Sequence, residues 1–149
     1  MNEPLEEPLM PVPKDGKELS REMMLGNQPT SNKKLGMSKK EILDTMTHLH
    51  LANKKIFTLN IKAGKLAYYQ RDEEKPLLAV MSPGLQVLFL QENYLTTLGS
   101  CFMGLKHLVQ INLFGNYITK MDCFAECTKL KRLYLENNRI NRLEGLQNC

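Results

Sequence analysis

Hydrophobic patterning divides the chain into a part without a lasting period and a part in which one apolar pattern returns three times. The first copy reads Leu85-x-x-Leu88-x-Leu90-x-x-Asn93-x-Leu95. The second is Leu108-x-x-Ile111-x-Leu113-x-x-Asn116-x-Ile118, and the third Leu130-x-x-Leu133-x-Leu135-x-x-Asn138-x-Ile140. Asn93 and Asn116 lie 23 residues apart, Asn116 and Asn138 22 apart. Apolar residues two apart, such as Leu88 and Leu90, have the period of a strand and point inward, which turns their neighbours outward. Units this short cannot bury a core alone and are stable only when stacked. The predicted fold is an α/β solenoid with a short parallel β-sheet on its concave face and 3₁₀ or irregular turns on its convex face.

Beyond each asparagine the apolar residues fall at every third place. Ile118, Met121, Phe124, Cys127, Leu130 and Leu133 make one such series, and Ile140, Leu143, Leu146 and Cys149 the next. A three-residue beat suits 3₁₀-like turns. Asn93, Asn116 and Asn138 follow the strand, where the chain bends inward. An amide side chain both donates and accepts, so it can pair backbone groups of its own and the adjacent turn. Leucine there would leave buried backbone unpaired, at roughly 1–3 kcal/mol per group.

Leucines spaced in this way around an asparagine are the signature of a leucine-rich repeat. The stretches LQVLFLQENYLTTL (85–98) and LKRLYLENNRINRLEGLQNC (130–149) closely resemble one branch of that family. It is the 22-residue class typified by a nuclear regulatory subunit of protein phosphatase 1, with many cilium- and axoneme-associated members. THLHLANKKI (47–56) resembles the opening repeat of those proteins. The likeness covers 46–61 and 85–149, and two departures stand out. Lys54 occupies the first asparagine position, and Leu49 precedes Leu88 by 39 residues rather than 22. The 17 surplus residues fall within Lys62–Pro83 and are expected to interrupt the register of the sheet. They are read as an insertion loop, or as the product of alternative splicing or a faulty gene model.

The expected organisation is a disordered segment over 1–37, a capping helix and degenerate first repeat over 38–61, the insertion loop over 62–84, and three repeats over 85–149. Residues 1–36 bury too little apolar surface to offset chain entropy, apart from a helical turn around Leu19–Leu25. Ser38-Lys39-Lys40-Glu41 has the spacing of a capping box and predicts a helix over 39–45 that covers the first turn. The array stops where another Leu-x-x-Leu-x-Leu should begin. The sequence is therefore read as a fragment or short isoform of a longer array, open at its C-terminal side.

A net charge of +4, spread evenly over the two halves, gives no push toward nucleic acid or acidic membrane. No apolar run approaches the ~18 residues of a membrane span, and residues 1–16 lack the features of a secretory signal. The expected setting is the cytoplasm, the cilium or cytoskeleton, or the nucleus, where thiols stay reduced. Cys127 and Cys149 share a column of successive turns, and Cys101 aligns with Phe124 and Leu146, so all three are expected in the core. Cys123 aligns with Ser100 and Gly145 and is expected to be more exposed.

No metal or cofactor is expected. His48-x-His50 lacks a third ligand, and Gly99 and Gly104 have neither the spacing nor the Lys-Ser/Thr of a phosphate loop. No serine or cysteine is matched with an oriented base, so the chain does not read as an enzyme. Lys54-Lys55-Ile56-Phe57 resembles a phosphatase-docking tetrapeptide, but it lacks the spacer before phenylalanine and the core claims Ile56.

The candidate site is the concave face. Its outward column is His50, Phe89, Asn112 and Tyr134, with Gln91, Phe114 and Glu136 beside it. Aromatics amid polar groups are what interface hot spots look like. The bland alternative is that Phe89 and Phe114 merely cover neighbouring strands. The favoured reading is a non-catalytic scaffold or adaptor for a partner protein. The resemblance implies a phosphatase catalytic subunit or a microtubule or axonemal protein as that partner. The competing reading is an RNA-linked scaffold in a nuclear ribonucleoprotein particle, using Lys33, Lys34, Lys39 and Lys40; the small net charge argues against it.

Overall fold

A computed structural model describes residues 11–26, 36–61, 75–121 and 123–149. Along the chain the described elements are β1 (Lys17–Glu18), α1 (Arg21–Gly26), α2 (Lys39–Asp44), β2 (His48–His50), β3 (Ile56–Thr58), α3 (Leu77–Met81), β4 (Val87–Phe89), β5 (Gln110–Asn112), β6 (Lys120–Met121), β7 (Arg132–Tyr134) and β8 (Arg142–Leu143).

One strand from each repeating turn joins a parallel sheet in the order β2-β4-β5-β7. Leu49, Leu88, Ile111 and Leu133 lie in one register across it. The first three are fully buried. Backbone pairing runs on past the strands: Leu51 N–H donates to Phe89 O, Leu90 N–H to Asn112 O and Leu113 N–H to Tyr134 O, each at 2.8 Å. The sequence expectation that the surplus residues interrupt this sheet is not met, because His48 pairs with Val87 and His50 with Phe89. Strands need only their inward leucines at matched depth, so extra chain can be held on the far side of the turn. Part of it is α3, which buries Leu77, Leu78 and Met81, so the expected loop over 62–84 is helical at 77–81. Its remainder over 62–74 lies outside the described residues.

Opposite the sheet, the three-residue beat appears as successive turns. Cys101 N–H donates to Leu98 O, Leu105 to Phe102 and Leu108 to Leu105; the next repeat has Cys127 to Phe124 and Leu130 to Cys127. These are single turns rather than a continuous 3₁₀ helix. Phe102 and Phe124 pack against each other with ring centroids 5.3 Å apart and planes tilted by 31°.

Two short helices and a strand cover the first turn. α2 begins at the expected capping box: Glu41 N–H donates to Ser38 Oγ at 3.2 Å, and Ser38 N–H to Glu41 Oε2 at 2.7 Å. The hydrogen bonds from the Ser38 backbone and hydroxyl hold the Glu41 carboxyl below its ordinary pKa. Residues 11–26 are part of the fold: α1 lies where the helical turn around Leu19–Leu25 was expected, whereas the rest of the stretch was expected to be disordered. β1 pairs in parallel with β3, and Leu19 and Met24 are buried. Asp15 and Lys55 form an ion pair at 2.6 Å. Two anchoring side chains leave no hydrophobic period to read, because backbone pairing does the rest of the docking. The segments 1–10 and 27–35 lie outside the described residues.

On the other side β7 is the outer strand, and Leu133, Leu135, Ile140 and Leu146 are only partly buried. Two residues placed by the sequence in core columns are exposed here: Leu143 at 66% and Cys149. Among the described residues no turn stacks over them. Cys123, expected near the surface, is buried instead. It lies toward the turn beneath, close enough to Cys101 to affect that thiol's ionisation.

Candidate protein-interaction surface

What fixes the bend after each of three strands is an asparagine bonded to turn backbone. The Nδ2 of Asn93 donates to Leu51 O and Leu90 O at 2.8 Å each, while its Oδ1 accepts from the backbone N–H of Lys54 and Ile56 at 3.0 Å each. Asn116 repeats the arrangement one turn on, donating to Leu90 O and Leu113 O at 3.0 Å and accepting from Leu95 N–H at 3.2 Å. Asn138 donates to Leu113 O and Leu135 O and accepts from Ile118 N–H. Each amide therefore ties its own bend to the preceding turn. Lys54, at the first asparagine position, has no such side chain and instead gives its backbone N–H to Asn93.

The residue before each of these positions has a left-handed backbone: Asn53 at φ 54, Glu92 at 56, Gly115 at 67 and Asn137 at 57. Asparagine and glycine adopt that conformation at low cost, whereas glutamate does not. This column is absent from the sequence reading. Its trace is the Asn, Gly, Asn series at three of the four positions.

Family comparison agrees with this construction. Residues 80–118 match the leucine rich repeat family, and residues 106–148 match a family of leucine rich repeats in two copies. Residues 80–148 carry leucine-rich repeats. No curated protein matches it. Leucine-rich repeats generally mediate protein–protein interaction and are typically non-catalytic modules.

The face that such repeats offer to a partner is laid out by the strand register. His50, Phe89, Asn112 and Tyr134 are direct neighbours across the four strands. The His50 and Phe89 rings stack with centroids 4.5 Å apart and planes 13° from parallel. His50 and Tyr134 are exposed, while Phe89 and Asn112 are half-buried. Asn112 Oδ1 accepts from the backbone N–H of Phe114 at 3.0 Å, so part of its polarity is spent locally. The second predicted column lies just past the strands. There Asn53 N–H donates to Gln91 O, Glu92 N–H to Phe114 O and Gly115 N–H to Glu136 O. Gln91 and Phe114 are half-buried and Glu136 is exposed. Gln91 Oε1 is shielded from solvent and has no hydrogen-bond partner among the described residues.

Charge is graded across this face. Before the strands come Lys106, His107, Lys129 and Lys131, followed by Arg132, which donates to Gln110 Oε1 at 3.4 Å. After them come Glu92 and Glu136. A partner laid along β7 thus meets Arg132 before Tyr134 and Glu136 after it, whereas Lys54 and Lys55 follow β2.

Proposed function

We propose that the chain is a non-catalytic adaptor that holds a partner protein against the concave sheet, with Phe89 and Tyr134 as anchors. The observation that carries this reading is the His50–Phe89–Asn112–Tyr134 column. Its side chains sit on the outward face, where the leucine core makes no demand for aromatics. Flat rings supported by stacking lose little entropy when covered, which is why they recur at interface centres. The graded rims favour a segment with acidic groups facing Arg132 and basic groups facing Glu136, and so fix its direction.

The resemblance to the 22-residue class suggests two settings: regulation of a phosphatase catalytic subunit, and ciliary or axonemal assembly in the cytoplasm. The test is direct binding of purified protein phosphatase 1 catalytic subunit and of polymerised microtubules to wild-type protein and to a Phe89→Ala/Tyr134→Ala variant with an unchanged melting profile. Binding to one partner, lost in the variant, is the expected result. Equal binding by the two proteins removes the concave face from the mechanism.

A further inference from the structure

The outward positions that follow the asparagines form a second face, away from the concave sheet. Tyr94 and Tyr117 each stand one residue after an asparagine. The N–H of Tyr94 donates to Ile56 O and that of Tyr117 to Leu95 O, both at 2.8 Å, so the two rings belong to consecutive turns. The Arg139 guanidinium lies over the Tyr117 ring, 5.0 Å from its centroid. On this flank Ile56, Leu95 and Ile118 are the fully buried residues, so the core does not require aromatics at the outward positions. Between the rings and the N-terminal segment runs a groove of about 220 Å³, lined by Phe57, Tyr94, Thr96, Tyr117 and the Pro11–Pro13 stretch. A polar hollow beside it shares both tyrosines and reaches Lys55 and Glu92.

We infer that this flank is a binding site for a proline-rich segment of a partner protein in the polyproline II conformation. Three observations select that ligand. The backbone of the flank is already paired turn to turn, through Tyr94 to Ile56, Tyr117 to Leu95 and Thr119 to Thr96. Between its outer strands β1 and β8 the described flank offers no open edge for a β-strand, so recognition there must come from side chains. Flat rings carrying hydroxyl donors suit a ligand with exposed carbonyls and few N–H groups of its own, which is a proline-rich chain. The protein's own Pro-Val-Pro sequence at 11–13 already forms one wall of the groove, with Val12 59% exposed, so prolines and these rings are compatible neighbours. Charge supplies direction: Lys55 is paired with Asp15, and Glu92 is exposed at one rim and selects a basic residue beside the prolines. The Arg139 guanidinium over Tyr117 faces ligand carbonyls or an acidic group at the other end.

The test is fluorescence anisotropy with a labelled peptide of about ten residues, one arginine followed by Pro-x-x-Pro repeats, together with amide shift mapping on the full chain. Saturable binding is expected, with shifts centred on Tyr94, Thr96 and Tyr117. Tyr117→Ser should weaken it about tenfold or more, Tyr117→Phe much less, and Phe89→Ala/Tyr134→Ala not at all. The shift map on unaltered protein decides the question even if Tyr117→Ser folds poorly. Failure to saturate, shifts centred on the concave column, or equal binding by a proline-free peptide of the same charge would each overturn the proposal. None of these outcomes touches the concave-face reading, because its anchors Phe89 and Tyr134 take no part in the flank and the two surfaces meet only at Glu92.

Discussion

A side chain on Gly115 would begin 2.5 Å from Oε1 of Glu92, its counterpart one turn earlier in the stack. Both residues are left-handed, so Gly115 is held to glycine by its φ of 67, and an added Cβ would also push the flexible Glu92 carboxylate aside. Gly115→Ala is expected to destabilise by about 1–2 kcal/mol from the backbone alone, with the contact adding to that. Glu92→Gly should stabilise by roughly 0.5–1 kcal/mol, having removed a strained residue. The double variant should lose less than the sum of the two single changes, because the contact is gone. Urea denaturation of the four proteins measures this coupling, and strict additivity would rule the contact out.

The asparagines differ in burial, and so should their replacements. Asn116 is 4% exposed and bonds to both its own turn and the one before. Asn116→Leu would strand several buried backbone groups and is expected to cost about 3 kcal/mol or more. Asn138 is half-buried at the outer turn, where water can reach the freed groups, so Asn138→Leu should cost about half as much. Equal losses at the two sites would contradict the account given for these side chains.

Met24 tests whether the N-terminal segment belongs to the core. It is fully buried although it precedes every repeat, and Met24→Ala is expected to destabilise by about 2–5 kcal/mol. Val12→Ala, at a position 59% exposed, should change stability little. A thermal melt of the two variants gives the comparison, and an inert Met24→Ala would mean that the segment does not hold the first turn.

Thiol reactivity follows burial. Desolvation raises the Cys101 thiol well above its ordinary pKa and raises Cys127 to about 12, with Cys149 and Glu126 adding to the latter. Both stay protonated and shielded at neutral pH, so a maleimide should label exposed Cys149 first and reach them only in denaturant. The sign for stability follows from the same shift. Below the ordinary thiol value of 9.0 the contribution of Cys127 is fully present. From there toward about 12 the unfolded thiol ionises while the folded one keeps its proton, so stability falls as pH rises. Cys127→Ala should flatten that alkaline decline in a pH series of melts.

Much of this was legible because the chemistry repeats. Asn93, Asn116 and Asn138 must each meet the same backbone groups, so they recur at a fixed interval, and the outward His50–Phe89–Asn112–Tyr134 column follows from the strand period alone. Features that occur once leave no period. Leu19 and Met24 dock a short segment by two side chains, and α3 fills space beside the first turn with Leu77, Leu78 and Met81. The left-handed column was masked by Glu92, a residue with no preference for that backbone. Cys149 is exposed although its column predicts burial, because alignment to neighbouring turns assumes that every turn has a neighbour on both sides, and β7 is an outer strand.

The amide staples reach only backwards, and this gives the stack a mechanical polarity. Under tension from the β7 side, the outermost turn comes away once the bonds of Asn138 to Leu113 O and Ile118 N–H break, and those that Asn93 and Asn116 make to the turns behind them stay intact. Lengthening should therefore proceed in discrete events of one turn, each releasing about 8 nm of chain at ~3.5 Å per residue. Pulling from the opposite side must first tear out β1 and the helical cover, so the molecule resists more strongly in that direction.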